Sequence, residues 1–368
     1  MPLRRSSTLF LPELPLRQHS ARGAGVSLSA GSTPRRHRVL HRHFRQERSM
    51  TRISLPRRRL ILAATAAAIG LPSLAALLHS PTRQFRIGHQ KGYLSLLRSR
   101  GTLEQRLAPL GVSVKWTEFP AGPVQLEALN IGAIDFGDVG EVPPIFALAA
   151  GAPLAYVAAT QPRPQAEAVL LPKHSPITRV AELKGQKIAL NKGSNVHYFI
   201  VKLFQKHGLA YSDLNLVYLA AADARAAFEN GAVDAWVIWD PLMAAAEKAL
   251  GARVLVDATG VVDNRAYYFS SRDYAANNAD ILAIAVEEIG KVDQWGAANR
   301  KALAAELSAL WGLPLPVAEH SESRTVYGTG PITAAILAEQ QQIADTFFAL
   351  KLIPNRIDLH AAAVAAIA

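Results

Sequence analysis

From Arg83 onward the apolar positions change period repeatedly. Residues 85–88 alternate as a short strand, and residues 93–107 carry the spacing of a helix. Val112-Ser113-Val114-Lys115-Trp116 alternates apolar and polar, which predicts a strand with one buried face. Pro120-Ala121-Gly122-Pro123 marks a turn, residues 124–130 read as helix and residues 133–136 as a short strand. Gly137-Asp138-Val139-Gly140 then reads as a tight turn before a helix over 144–150, with Pro143 at its start. A strand follows at 155–160. Strand and helix repeat in this way past residue 240, which predicts βαβ units and largely parallel sheet.

The pattern is bipartite. Residues 166–172 read as the strand that ends one lobe. Lys187-Ile188-Ala189-Leu190 begins a new unit of the same plan, followed by a glycine-containing turn and a helix over 196–206. Ala266-Tyr267-Tyr268-Phe269-Ser270 reads as a strand that returns to the first lobe, and residues 275–368 are mostly helical and Ala-rich, with helices over 281–299, 301–311 and 332–350. The predicted architecture is α/β: lobe 1 comprises 83–171 and 267–368, lobe 2 comprises 172–266, and crossing strands leave a ligand cleft between them.

Composition changes this picture mainly at the N-terminus. The 368 residues carry a formal charge of +11, but residues 1–82 alone hold fourteen Arg, no Lys and two Glu. The remainder has 26 basic and 27 acidic residues, so the body is close to neutral and a nucleic-acid partner loses its support. Residues 50–82 have the form of an export signal: Arg57, Arg58 and Arg59, then an apolar run to Leu78, with small residues near Ser73-Leu74-Ala75. The adjacent arginines fit a Sec or a twin-arginine signal. The expectation is a periplasmic protein whose signal is cleaved. Residues 1–49 are Arg-, Ser- and His-rich with little periodicity, and Met50 is the expected true start. His41-Arg42-His43 belongs to that basic arm and is not read as a metal site. The chain has no Cys, which excludes disulfides, thiol catalysis and thiolate metal sites.

Three glycine-containing turns stand before helices, at Gln90-Lys91-Gly92, at Val139-Gly140-Glu141 and at Gly193-Ser194-Asn195. A helix start exposes N–H groups and the positive end of the helix dipole, so each is a potential anion site. Gln90 supplies a donor and Lys91 a charge, although both suit an ordinary exposed turn. Ser194 and Asn195 are favoured N-caps as well as donors. Glu141 has the wrong sign for direct anion contact and is read as structural or as part of lobe closure. Trp236, Ile238 and Asp240 share one strand face and Val237 and Trp239 the other, so one tryptophan can line the cleft while its neighbour packs in the core. No Gly-x-Ser-x-Gly, His-Glu-x-x-His or Walker loop occurs. The expectation is a binding protein for a small-molecule anion, with no catalytic residues, metal or cofactor, and an enzyme on the same fold as the alternative.

Several motifs stand together in an order that resembles the aliphatic sulfonate-binding proteins of ABC importers. They are Arg86-Ile87-Gly88-His89-Gln90-Lys91-Gly92, Ile134-Asp135-Phe136-Gly137, Gly140-Glu141-Val142-Pro143-Pro144-Ile145-Phe146-Ala147, Lys192-Gly193-Ser194-Asn195-Val196-His197-Tyr198 and Asp234-Ala235-Trp236-Val237-Ile238-Trp239-Asp240-Pro241. Ala181-Glu182-Leu183-Lys184-Gly185 matches the wider family, and the resemblance spans roughly residues 84–355. It implies a type II periplasmic-binding-protein fold, a monomer, and delivery of an alkanesulfonate to a membrane permease. The ligand set implied is Gln90, Lys91, Val139, Gly140, Glu141, Ser194, Asn195, His197, Trp236 and Asp240. Taurine, aryl sulfonates, sulfate esters and nitrate are the alternative ligands among relatives. The chain departs from the family pattern at Val139, where Thr is usual, and at Leu148, where Gln is frequent.

Overall fold

The strand segments sort into two sheets in the computed structural model, which describes residues 83–361 and 363–365. The expectations for residues 1–49 and 50–82 lie outside the described residues. In chain order the strands are β1 (Arg83–His89), β2 (Val112–Glu118), β3 (Phe136–Gly140), β4 (Leu154–Thr160), β5 (Glu167–Leu171) and β6 (Lys187–Leu190). They continue with β7 (Asn215–Tyr218), β8 (Ala235–Trp239), β9 (Arg253–Asp257), β10 (Ala266–Ser271), β11 (Thr329–Gly330) and β12 (Ala363–Val364).

The first sheet runs β11-β4-β10-β3-β1-β2, with β12 beside β4, and the second runs β7-β6-β8-β5-β9. Helix-linked strands pair parallel, as β1 does with β2 and β3, and β6 with β7 and β8. The strands that enter from the other lobe run the opposite way: β10 is antiparallel to β3 and β4, and β5 to β8 and β9. Each sheet is therefore mixed rather than largely parallel, because a strand arriving across the cleft has no helical crossover to turn it round.

β5 belongs to the second sheet, not to the end of lobe 1. The first crossing thus comes at residues 161–166, earlier than the break expected after 171, and the second at 258–265. A buried apolar strand looks the same in either lobe, so periodicity could not assign it.

Two local expectations also shift. The helix over 93–107 is two helices, Tyr93–Arg100 and Thr102–Leu107, separated by Gly101 at φ +64°. The segment 137–140 is strand, not turn, and residues 133–135 are irregular. Close packing explains the glycines of β3. A Cβ on Gly137 would lie 2.3 Å from Gln125 Nε2 and 2.8 Å from the Gly88 carbonyl oxygen. Gly137 is small to admit its neighbours. Asp135 meanwhile accepts the Arg86 N–H at 2.8 Å and Arg86 Nε at 2.9 Å, which fixes the entry to the strand.

Candidate functional site

A cavity of about 580 Å³ opens between the two sheets, within the size range of small-molecule sites. Its wall draws on the ends of β1, β2, β3 and β8, on both crossings, and on the start of the helix Asn195–Lys206. Aromatic surface comes from Phe119, Trp239, Tyr268 and Trp311.

Seven of the expected residues, Gln90, Lys91, Val139, Gly140, Ser194, Asn195 and Asp240, line this cavity. Most are already engaged. Gln90 Nε2 donates to the Asp138 carbonyl at 3.2 Å, and Lys91 Nζ donates to the Trp311 carbonyl at 2.6 Å. Lys91 is thereby spent on the end of the helix Arg300–Trp311, where a cation suits the helix dipole. Val139 is buried and its side chain packs in the apolar core, so it offers the cavity no polar group. Ser194 caps the helix Asn195–Lys206 in extended conformation, but its hydroxyl donates to the Asn191 carbonyl at 2.7 Å.

Asn195 ties three segments together. Its Nδ2 donates to Asn264 Oδ1 at 2.7 Å and its Oδ1 accepts the Val142 N–H at 3.4 Å. The turn after β3, expected to hold an anion, is thus served by a side chain from the other lobe. Asp240 carries a two-pronged ion pair with Arg324, Nε to Oδ2 and Nη2 to Oδ1 each at 2.8 Å, and accepts the Ala244 N–H at 3.1 Å. Arg324 also holds Glu247 at 2.7 Å. Burial pushes the Asp240 carboxyl up despite that pair.

Three expected ligands do not line the cavity. His197 is fully buried, its Nδ1 accepting the Gly193 N–H at 3.4 Å and its ring meeting Tyr218 edge-on and Tyr211 and Phe347 at a tilt. Burial, helped by Lys192, lowers its pKa to about 4, so it is neutral. Trp236 faces the core against Phe228, while Trp239, on the opposite face of β8, lines the cavity. Glu141 is buried behind the wall, one oxygen accepting the Arg265 N–H at 3.2 Å and the other unpartnered; burial raises its pKa to about 8. That position suits the structural role expected of it rather than contact with an anion.

Two charged residues of this wall, Arg163 and Asp138, lie outside the expected ligand set. Arg163 lines the cavity from the first crossing, in Gln161-Pro162-Arg163-Pro164. Among the described residues no side-chain hydrogen bond or ion pair engages its guanidinium, and its Nε is buried without a partner. The signal available was a lone cation between prolines, next to a strand that changes lobe. Asp138 lines the cavity from β3 with Oδ1 buried and unpartnered. Burial lifts its carboxyl to about 6, while Arg163 and the Asp138 and Gln90 N–H groups draw it down. Trp311 adds an indole N–H that is also buried and unpartnered.

Two α/β lobes, two crossings and an aromatic cavity with an unpaired guanidinium define a solute-binding protein of the periplasmic-binding-protein fold. The NMT1/THI5-like family profile matches residues 110–292. An aliphatic sulfonates-binding protein of Escherichia coli (strain K12) is 40% identical over 305 residues, which cover 82% of this chain and 95% of that protein. The solved periplasmic aliphatic sulphonate binding protein SsuA from Escherichia coli superposes with a TM-score of 0.70 at 40% identity, covering 75% of this chain and 90% of that one. The alkanesulfonate-binding protein SsuA from Xanthomonas axonopodis pv. citri, solved bound to MOPS, gives 0.72 at 38% identity, covering 76% and 97%. The chain belongs to the aliphatic sulfonate-binding protein family.

Proposed function

We propose that this protein captures an aliphatic sulfonate in the periplasm and delivers it to the membrane permease of an ABC importer, acting as a monomer without turnover. The observation that carries the reading is the unpaired Arg163 guanidinium on the wall of an aromatic cavity. A planar guanidinium matches two oxygens of a tetrahedral oxyanion at once. Trp311 Nε1 is a second unused donor on the same wall. Trp239 and Phe119 offer apolar surface to the carbon tail.

A ligand held from both lobes favours the conformation in which they are close, and so shifts the population toward closure. Asn195 and Arg324 already reach across this gap. The closed form is the state that a permease recognises.

A thermal-shift screen of the purified protein tests the reading. Alkanesulfonates should raise the melting temperature, since a ligand of the native state stabilises it by mass action. Sulfate and nitrate should not. A shift confined to nitrate, a sulfate ester or an aryl sulfonate would reassign the ligand. Recovery of the sulfonate unchanged after prolonged incubation is expected, and its conversion would sink the binding-protein reading in favour of an enzyme.

A further inference from the structure

We propose that Asp138 and Arg163 together select sulfonates that also carry a protonated amine, the sulfonate pairing with the Arg163 guanidinium and the ammonium with the Asp138 carboxylate. The inference rests on the reading that this cavity takes a sulfonate.

A carboxylate on the wall of an anion site is otherwise unfavourable, because it repels the ligand. Among the described residues no side-chain donor reaches the Asp138 carboxylate, which meets only its own N–H and that of Gln90. The Asp138 backbone carbonyl, not its carboxylate, accepts Gln90 Nε2. Its Oδ1 is buried with no partner, and a buried acceptor left without a donor is destabilising. A donor supplied by the ligand removes that cost.

The remaining charges on the wall do not compete for the role. Lys91 is held by the Trp311 carbonyl, Arg225 by Glu229, and Asp240 by Arg324. Glu322 is buried and accepts the Tyr327 hydroxyl at 2.8 Å, and Glu118 sits exposed at the rim. Arg163 and Asp138 are thus the opposed charges that the protein leaves for a ligand inside the cavity. They lie close enough for the guanidinium to draw the carboxyl toward its ionised form. A zwitterion neutralises both, whereas a simple alkanesulfonate answers one and is repelled by the other.

Calorimetry at neutral pH with 3-aminopropanesulfonate, 3-hydroxypropanesulfonate and 1-propanesulfonate decides it. In the native protein the amine should bind roughly ten-fold or more tighter than either uncharged tail, the ratio that a charge-assisted hydrogen bond supplies. In Asp138→Asn, of the same size, the amine should lose that advantage and 1-propanesulfonate should bind more tightly than before. The hydroxyl ligand needs no variant, so the native ratio alone remains decisive if Asp138→Asn fails to fold. Tight binding of 1-propanesulfonate with no preference for the amine would overturn this inference and leave the sulfonate reading standing. An amine preference that survives in folded Asp138→Asn would overturn the role of Asp138. Binding of none of the three would overturn both readings.

Discussion

Asn195 rests directly on the backbone of Gly140. A Cβ at residue 140 would fall 2.1 Å from Asn195 Oδ1 and 2.4 Å from its Nδ2. The glycine is required by this approach from the other lobe, since its φ is not in the left-handed region. The pair couples the end of β3 to the start of the helix Asn195–Lys206, and through Asn264 to the second crossing.

Gly140→Ala should therefore displace Asn195, lowering stability by about 1–3 kcal/mol as overpacking does and weakening ligand binding. Asn195→Ala makes room for the methyl group. The double variant should lose clearly less than the sum of the single losses. Melting curves and calorimetry on the four proteins test this, and strict additivity would show that the two positions do not meet.

Removing the free cation should separate binding from folding. Arg163→Ala should weaken alkanesulfonate binding by roughly 10- to 100-fold, the worth of charge-assisted hydrogen bonds. It should lower the unliganded melting temperature only slightly, because no hydrogen bond or ion pair of the guanidinium is lost, only its attraction for the buried Asp138 and Asp293 carboxyls. Arg163→Lys should fall between, since an ammonium lacks the planar fork. Wild-type affinity in Arg163→Ala would move the sulfonate elsewhere in the cavity.

The two tryptophans of β8 should give opposite phenotypes. Trp236→Ala empties a core position against Phe228 and Met243 and should cost roughly 3–5 kcal/mol of stability. Trp239→Ala should cost less stability and should weaken long-tailed sulfonates more than short ones. Chemical denaturation and a ligand series of increasing chain length give the two readouts.

Glu141 and His197 should tilt the stability curve in opposite directions. The folded Glu141 carboxyl titrates at about 8 against an ordinary 4.5, so the unfolded chain releases its proton first as pH rises. Stability is then lost between about 4.5 and 8, and Glu141→Gln should flatten that loss while keeping an acceptor for the Arg265 N–H. His197 titrates at about 4 in the fold against 6.5, so the unfolded chain gains its proton first as pH falls. Stability is lost from 6.5 downward toward 4, and His197→Gln should reduce that slope. Denaturation midpoints measured across this range, with both slopes unchanged in the variants, would refute the assignment.

How much of the molecule the chain displayed depends on the kind of signal. Periodicity located most of the helices because each buries one face that repeats, and β6 was legible as a short, wholly buried apolar run. The same rule stated that the tryptophans of β8 lie on opposite faces. It could not say which face meets the cavity, because both faces of β8 are covered: Trp236 packs against Phe228, and Trp239 borders the cavity. His197 sits two positions beyond the cavity residue Asn195, and helix rotation turns it into the fold against Phe347 and the tyrosines.

By itself the sequence determined the α/β class, the two-lobed plan and the near-neutral charge balance of residues 83–368. Those follow from local period, turn chemistry and charge count. The tertiary structure alone decided which polar groups remain unspent. Gln90, Lys91, Asn195 and Asp240 reach the cavity, but partners distant in sequence, such as Trp311, Asn264 and Arg324, occupy their side chains. Arg163, from the first crossing, and Asp138, from β3, come to one cavity wall, each with a buried polar atom left unpartnered. Pairing between distant segments is a property of packing, and no local pattern encodes it.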